Sequence, residues 1–268
     1  MSERTRIAAV QMISGPEVGP NLATAARLIA QAAAAGAQLV ALPEYFPLIG
    51  AADADRLAAR EREGEGPIQG FLAEAARRHG IWLVGGSLPL FADDPAKLRN
   101  TCFAYDPAGR QVARYDKIHL FGFTRGAESY DESATIEAGA ACAGFATPFG
   151  RVGLAICYDL RFPELFRALG QTELLVLPAA FTETTGRAHW ELLLRARAVE
   201  NQCYVLAAAQ GGRHPTGRLT HGNSMIVDPW GEIVARMDKG EGVVVAELDA
   251  ARIAEVRSSL PALKHKRL

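Results

Sequence analysis

Cysteine is scarce in this chain: four in 268 residues, at Cys102, Cys142, Cys157 and Cys203, with no Cys-x-x-Cys pair. That excludes a disulfide-stapled scaffold and leaves each thiol free in a reducing compartment. An excess of either charge is missing as well. Twenty-nine basic residues meet thirty acidic ones, for a formal net charge of −1. Nothing in that balance calls for nucleic acid or an anionic membrane as partner. No apolar run reaches the ~20 residues that span a bilayer, because the strongest candidate, residues 28–42, is broken by Gly36. The opening Met1-Ser2-Glu3-Arg4-Thr5-Arg6 is charged and has no signal-peptide core behind it, so a cytoplasmic protein is expected. Dinucleotide binding lacks a Gly-x-Gly-x-x-Gly turn after the first strand-type run, and no two histidines have the close spacing of helix-borne zinc sites.

What is present is a strand–helix rhythm. Residues 6–12 form a strand-type run. Asn21 is placed to cap a helix whose Leu22, Ala25, Leu28, Ile29 and Ala32 share a face and which Gly36 ends. Residues 38–43 are almost continuously apolar, the pattern of a strand covered on both faces. Pro67 opens a second helix that stops before Gly80. Strands are expected over 81–87, 101–106 and 111–116, with Pro107-Ala108-Gly109 as the turn between the last two. Residues 119–150 read as a long functional loop. The rhythm then resumes with strands over 151–156, 174–178 and 203–209 and helices over 162–169 and 188–201. Residues 224–228 and 242–248 suggest a closing strand pair, followed by a helix near 251–260 and a basic tail. No linker divides residues 1–268, and strand–helix–strand ending in Leu42-Pro43 recurs as strand–helix–strand ending in Leu177-Pro178. One α/β domain with helices over a two-sheet core explains this pattern.

Open α/β folds place function at the carboxyl ends of strands. Three polar residues stand there: Glu44 after an apolar strand, Lys117 after residues 111–116, and Cys157 after residues 151–156. A thiol, a carboxylate and an ammonium in one cleft would form a nucleophile, a base and an electrostatic helper. Cys157 precedes a Pro163 that suits a helix start, so a helix end is expected to favour its thiolate. A buried thiol acting as a small hydrophobe is the alternative, and it is the better reading for Cys102 and Cys203. A Cys–His hydrolase is the nearest rival, since His119, His189 and His221 are available.

Leu42-Pro43-Glu44, Tyr115-Asp116-Lys117-Ile118-His119-Leu120 and Ile156-Cys157-Tyr158-Asp159-Leu160-Arg161-Phe162-Pro163-Glu164 resemble, in order, the three signature motifs of the nitrilase (carbon–nitrogen hydrolase) superfamily. The resemblance implies a four-layer αββα sandwich and a Glu44–Lys117–Cys157 triad acting on a small-molecule amide with water. It implies no metal or organic cofactor. Glu132 matches a further family glutamate that orients the lysine or the substrate, with Glu128 as its competitor. The backbone N–H of Tyr158 is implied in oxyanion binding. A homodimer or higher homo-oligomer is also implied, with residues after about 249 reaching a second subunit.

Cys157-Tyr158-Asp159 is similar to the amidase-like branch rather than to true nitrilases. Asn201-Gln202-Cys203-Tyr204 and Gln210-Gly211-Gly212-Arg213-His214 resemble deaminated-glutathione amidases, with the ω-amidases as close relatives. An acidic amide calls for cations, because arginine forks onto carboxylates. Arg125, Arg161 and Arg213 are the candidates, and Glu164 is an alternative partner for Arg161. A non-catalytic binding member of the same fold is the reading from another class.

Overall fold

Residues 4–126 and 128–267 are described by the computed structural model; Ala127, Leu268 and Met1-Ser2-Glu3, the start of the charged opening expected to carry no signal peptide, lie outside them. In chain order come β1 (Arg4–Gln11), α1 (Val18–Ala34), β2 (Leu39–Ala41), α2 (Asp53–Ala58) and α3 (Pro67–His79). Four more strands complete the first half: β3 (Trp82–Val84), β4 (Leu88–Phe91), β5 (Leu98–Tyr105) and β6 (Gln111–Asp116). A hairpin of β7 (Gly122–Arg125) and β8 (Glu128–Asp131) follows. Next are β9 (Gly144–Thr147), β10 (Gly150–Leu154), α4 (Pro163–Ala168), β11 (Leu174–Ala179), α5 (Glu183–Asn201) and β12 (Tyr204–Ala209). The remaining elements are β13 (Gly211–Arg213), β14 (Leu219–His221), β15 (Met225–Val227), β16 (Ile233–Arg236), β17 (Gly242–Asp249) and α6 (Ala250–Ser259).

One sheet runs β17-β1-β2-β3-β5-β4, with β6 also on β5; the other runs β16-β15-β12-β11-β10-β9. Their centres are alike: β1, β2 and β3 are parallel, as are β10, β11 and β12. This is the structural form of the internal echo. Strand β1 shows why the layers stack. Ile7 and Ala9 enter the apolar layer shared with the second sheet, while Ala8 and Val10 enter the layer beneath α1 and α3. A period of two with both faces apolar can only be satisfied between two covering layers. Trp190, Leu194 and Ala198 of α5 and Leu165 and Phe166 of α4 close the opposite face. The result is the αββα sandwich. Among the described residues, no helix is long and apolar enough to cross a membrane.

Local signals explain the helix ends. Pro67 stands at the start of α3 and Gly80, at φ +61°, ends it. The buried Glu61 carboxylate also caps α3 from outside, accepting from the backbone N–H groups of Ile68 at 2.6 Å and Gln69 at 3.1 Å. At the end of β3, Gly86 sits at φ +60°, where a Cβ would lie 2.2 Å from the Pro43 carbonyl. Only glycine lets that strand end close on the turn that carries Glu44.

Several expectations are corrected. Asn21 does not cap α1: the helix starts at Val18, and the Asn21 amide inside its first turn ties down Gly15 and Pro47 instead. The strand expected over 81–87 stops at Val84, and β4 is a separate strand. Residues 119–150 are not one long loop; they hold β7, β8 and β9. The two segments expected as a closing pair belong to different sheets, since β15 pairs with β12 and β16 whereas β17 pairs with β1. Helix α6 returns onto its own chain through buried Ile253 and Val256, and Arg257 pairs with Glu173 at 2.9 Å.

Candidate active site

The three strand-end residues meet. Lys117 Nζ lies 2.9 Å from Glu44 Oε1, and both side chains are 1% exposed. Asn100 Nδ2 donates to the same Glu44 oxygen at 2.9 Å. Cys157 is buried and lines one cavity with Glu44 and Ala180. Two of these turns carry positive φ at non-glycine residues, +49° at Cys157 and +54° at Tyr45. Such conformations cost about 1–3 kcal/mol and persist where surrounding contacts over-determine them.

Electrostatics assign the resting protons. Burial pushes the Cys157 thiol well above its usual range and the neighbouring Glu44 carboxylate pushes the same way; the Lys117 charge and the Ala180 N–H oppose them without prevailing. The expectation of a helix-stabilised thiolate is therefore overturned. Residues Cys157–Arg161 form a 3-10 turn, α4 begins only at Pro163, and desolvation beside a carboxylate dominates. The resting group is a neutral thiol. Lys117 has the opposite balance: burial alone would lower it, but the Glu132 and Glu44 carboxylates hold it well above its usual value. Burial would raise Glu132, yet the Lys117 ammonium at 2.8 Å keeps it below the ordinary carboxylate range.

Glu132 thus stands on the lysine, and it also accepts from the Tyr45 hydroxyl and the Phe121 N–H, each at 2.8 Å. Glu128 is elsewhere, accepting from Thr184 Oγ1 at 3.0 Å. The histidines do not serve the thiol. His119 Nδ1 meets Asp159 Oδ1 at 2.7 Å and its ring stacks on Phe162, while His189 faces Arg161 and His221 faces Glu183.

Asp159 is a residue whose part strand-end reasoning missed. Fully buried, it accepts from the Tyr115 hydroxyl at 2.6 Å, the Ile156 N–H at 2.8 Å and the His119 N–H at 3.2 Å. Tyr115 and His119 flank Lys117 and Ile156 precedes Cys157, so this carboxylate ties the lysine turn to the thiol turn. Asp159→Asn replaces an acceptor for charged hydrogen bonds with a group that donates toward other donors. A loss of about 2–3 kcal/mol in unfolding free energy is expected, read by urea denaturation.

A narrow cavity lies over Cys157, lined also by Tyr158, Arg161, Phe181 and Arg218. Of the arginines suggested by the sequence, Arg161 is on this wall, with its Nη atoms 3.3 Å from His189 Nδ1, and it forms no ion pair with Glu164 among the described residues. Arg125 and Arg213 are exposed and are not among the residues lining the cavity. Arg218 lines it instead. Its sequence setting, the turn between two three-residue strands, carries no pattern that marks a site.

The carbon-nitrogen hydrolase family model matches residues 6–258. The deaminated glutathione amidase of Yersinia enterocolitica is 40% identical over 99% of this chain and 94% of its own. The human omega-amidase NIT2 is likewise 40% identical, over 98% and 95%. The crystal structure of the C. elegans NitFhit protein superposes at a TM-score of 0.89 with 40% identity, covering 98% of this chain, which spans only 65% of that longer one. With its sandwich, its strand-end cluster and these matches along nearly its whole length, the chain belongs to the carbon–nitrogen hydrolase family.

Proposed function

We propose that the protein hydrolyses a small carboxylate-bearing amide through a thioester on Cys157, with deaminated glutathione, N-(4-oxoglutaryl)-cysteinylglycine, as its substrate. The observation that carries this reading is that Cys157 lines one small cavity with Glu44, whose carboxylate holds the Lys117 ammonium at 2.9 Å. Glu44 takes the thiol proton as the sulfur attacks the amide carbonyl. The Lys117 ammonium and the Tyr158 N–H hold the oxyanion. Glu44 passes the proton to the departing amine, then takes one from the water that cleaves the thioester and returns it to the departing Cys157 sulfur. The products are 2-oxoglutarate and cysteinylglycine. Glu132 keeps Lys117 charged and in place.

A second reading has its own support: a human omega-amidase is as similar to this chain as the bacterial deaminated glutathione amidase is. Measuring kcat/KM side by side on deaminated glutathione, α-ketoglutaramate and simple nitriles decides between them. Intact mass after brief exposure to substrate is expected to show an acyl adduct on Cys157. No turnover of any of these would favour a binding role. Arg161 receives the acyl carboxylate, so Arg161→Gln is expected to raise KM about 10-fold or more for the dicarboxylate substrates and far less for a neutral amide.

The same reading takes residues 1–268 as one hydrolase domain in the cytoplasm, assembled as a homodimer or higher homo-oligomer with residues after about 249 meeting a second subunit. Free thiols at all four cysteines support the compartment. Exposed Leu192 and Val199 on α5, with Trp230 also exposed, support an apolar subunit contact.

A further inference from the structure

Beyond the cavity over Cys157 lies a second, wider groove of about 1210 Å³ counted to its open mouth. Phe121, Glu132 and Arg218 line both, so the two spaces share a wall. The charges of the outer groove are unevenly satisfied. Asp53 is paired with Arg56 and Asp131 accepts from the Ser133 N–H and hydroxyl. Glu132 is spent on Lys117, Tyr45 and Phe121. Arg218 has no ion pair among the described residues; its guanidinium stands over the Tyr130 ring at 5.8 Å. Its Nε is buried without a hydrogen-bond partner, and so is the hydroxyl of Thr216. Buried polar groups are almost always satisfied, and orphaned ones at a cavity wall mark where a ligand or water completes them.

Both residues are on the β13–β14 turn, which is held rigidly. The buried His214 ring meets the Ser14 carbonyl and Thr220 Oγ1 at 2.8 Å each, and the His214 N–H donates to the Arg218 carbonyl at 2.9 Å. A fixed turn that places Arg218 and Thr216 on the groove wall, with polar atoms no protein group satisfies, is preorganised for an anion.

We propose that this groove is a leaving-amine subsite, in which the Arg218 guanidinium and the Thr216 hydroxyl bind the terminal carboxylate of a dipeptide-like amine. The inference rests on the thioester reading above and deepens it. Phe121, Glu132 and Arg218 stand between the narrow space over Cys157 and the outer groove, so any amine larger than ammonia extends past Arg218. When the sulfur bonds to the acyl carbon the C–N bond breaks, and the thiol proton passes through Glu44 to that nitrogen. The amine leaves intact, with its carboxylate unchanged.

The test compares two N-(4-oxoglutaryl)-dipeptides that differ only in a free or an amidated C-terminus. The wild type is expected to prefer the free acid about 10- to 100-fold in kcat/KM, the range of one charge-assisted contact. Arg218→Gln collapses that ratio toward one, Arg218→Lys restores part of it, and Thr216→Val lowers it more weakly. A ratio unchanged in Arg218→Gln overturns the proposal, as does a wild type indifferent to the C-terminus. A readout without turnover separates this from failure of the hydrolase reading: calorimetric titration of cysteinylglycine into Cys157→Ala and into Cys157→Ala/Arg218→Gln. Weaker binding by 10-fold or more in the second protein supports the subsite even if no amide is turned over. Equal binding in both proteins, or none in either, overturns it.

Discussion

Cys157→Ala is expected to lower kcat/KM by about 10⁴-fold or more and to abolish the acyl adduct, a loss on the scale seen when the nucleophile of a cooperating catalytic set is removed. No other thiol can replace it. Cys102 and Cys203 are fully buried, and Cys142 is exposed and is not among the residues lining the cavity. Burial pushes Cys102 and Cys203 up as it does Cys157, so a raised pKa does not distinguish the nucleophile. Position does, since Cys157 alone of the four lines the cavity that Glu44 also lines. Because that sulfur rests as a neutral thiol, its attack depends on proton removal in the same step. The wild-type thiol should accordingly react slowly with iodoacetamide at pH 7 while turning substrate over rapidly, a contrast that a preformed thiolate would not give. Cys157→Ala retaining even one per cent of wild-type activity would require another nucleophile.

The legibility of this site follows from how each residue is placed. Glu44, Lys117 and Cys157 can be found because each follows an apolar strand, and strand ends are where an α/β fold exposes side chains to a shared cleft. Glu132 is different. It follows β8, whose hairpin with β7 is half-exposed and lacks an apolar stripe, so only family resemblance pointed to it. Asp159 lay in plain view inside a motif, yet its work joins Tyr115 of the first sheet to the Cys157 turn of the second, a contact no local pattern encodes. Arg218 had no signal at all. The mistaken pairing of residues 224–228 with 242–248 has the same origin: two alternating strands look alike, and which sheet each joins is decided by long-range packing. The helix start at Pro163 is where the sequence puts it, but the 3-10 turn between it and Cys157 and the burial of the thiol, which decide the protonation, are tertiary facts.

Glu44 and Lys117 allow a prediction that separates chemistry from stability. Glu44→Gln removes the base from both half-reactions, and each is expected to slow by about 10²–10⁴-fold. The fold should suffer little, because glutamine can still accept from Asn100 and the Lys117 charge keeps Glu132 at 2.8 Å. Lys117→Met also abolishes activity, but for a second reason as well. It leaves two carboxylates, Glu44 and Glu132, buried without their shared cation, and stranding one partner of a buried pair typically costs about 3–5 kcal/mol. The pH dependence has a definite sign. In the wild type the Glu132 pKa is held below its ordinary value, so its contribution to stability is present above that ordinary value and is lost as pH falls through the lowered one. In Lys117→Met the lowering charge is gone and burial prevails, which pushes the same carboxyl up and favours its neutral form. Acid should therefore relieve the variant at pH values where the Glu132 contribution to the wild type is still intact. Thermal denaturation is expected to show a Tm gap between Lys117→Met and wild type that narrows from pH 7 to pH 5, with no such narrowing for Glu44→Gln. A gap that stays constant or widens on acidification would show that Lys117 does not hold the Glu132 carboxylate charged.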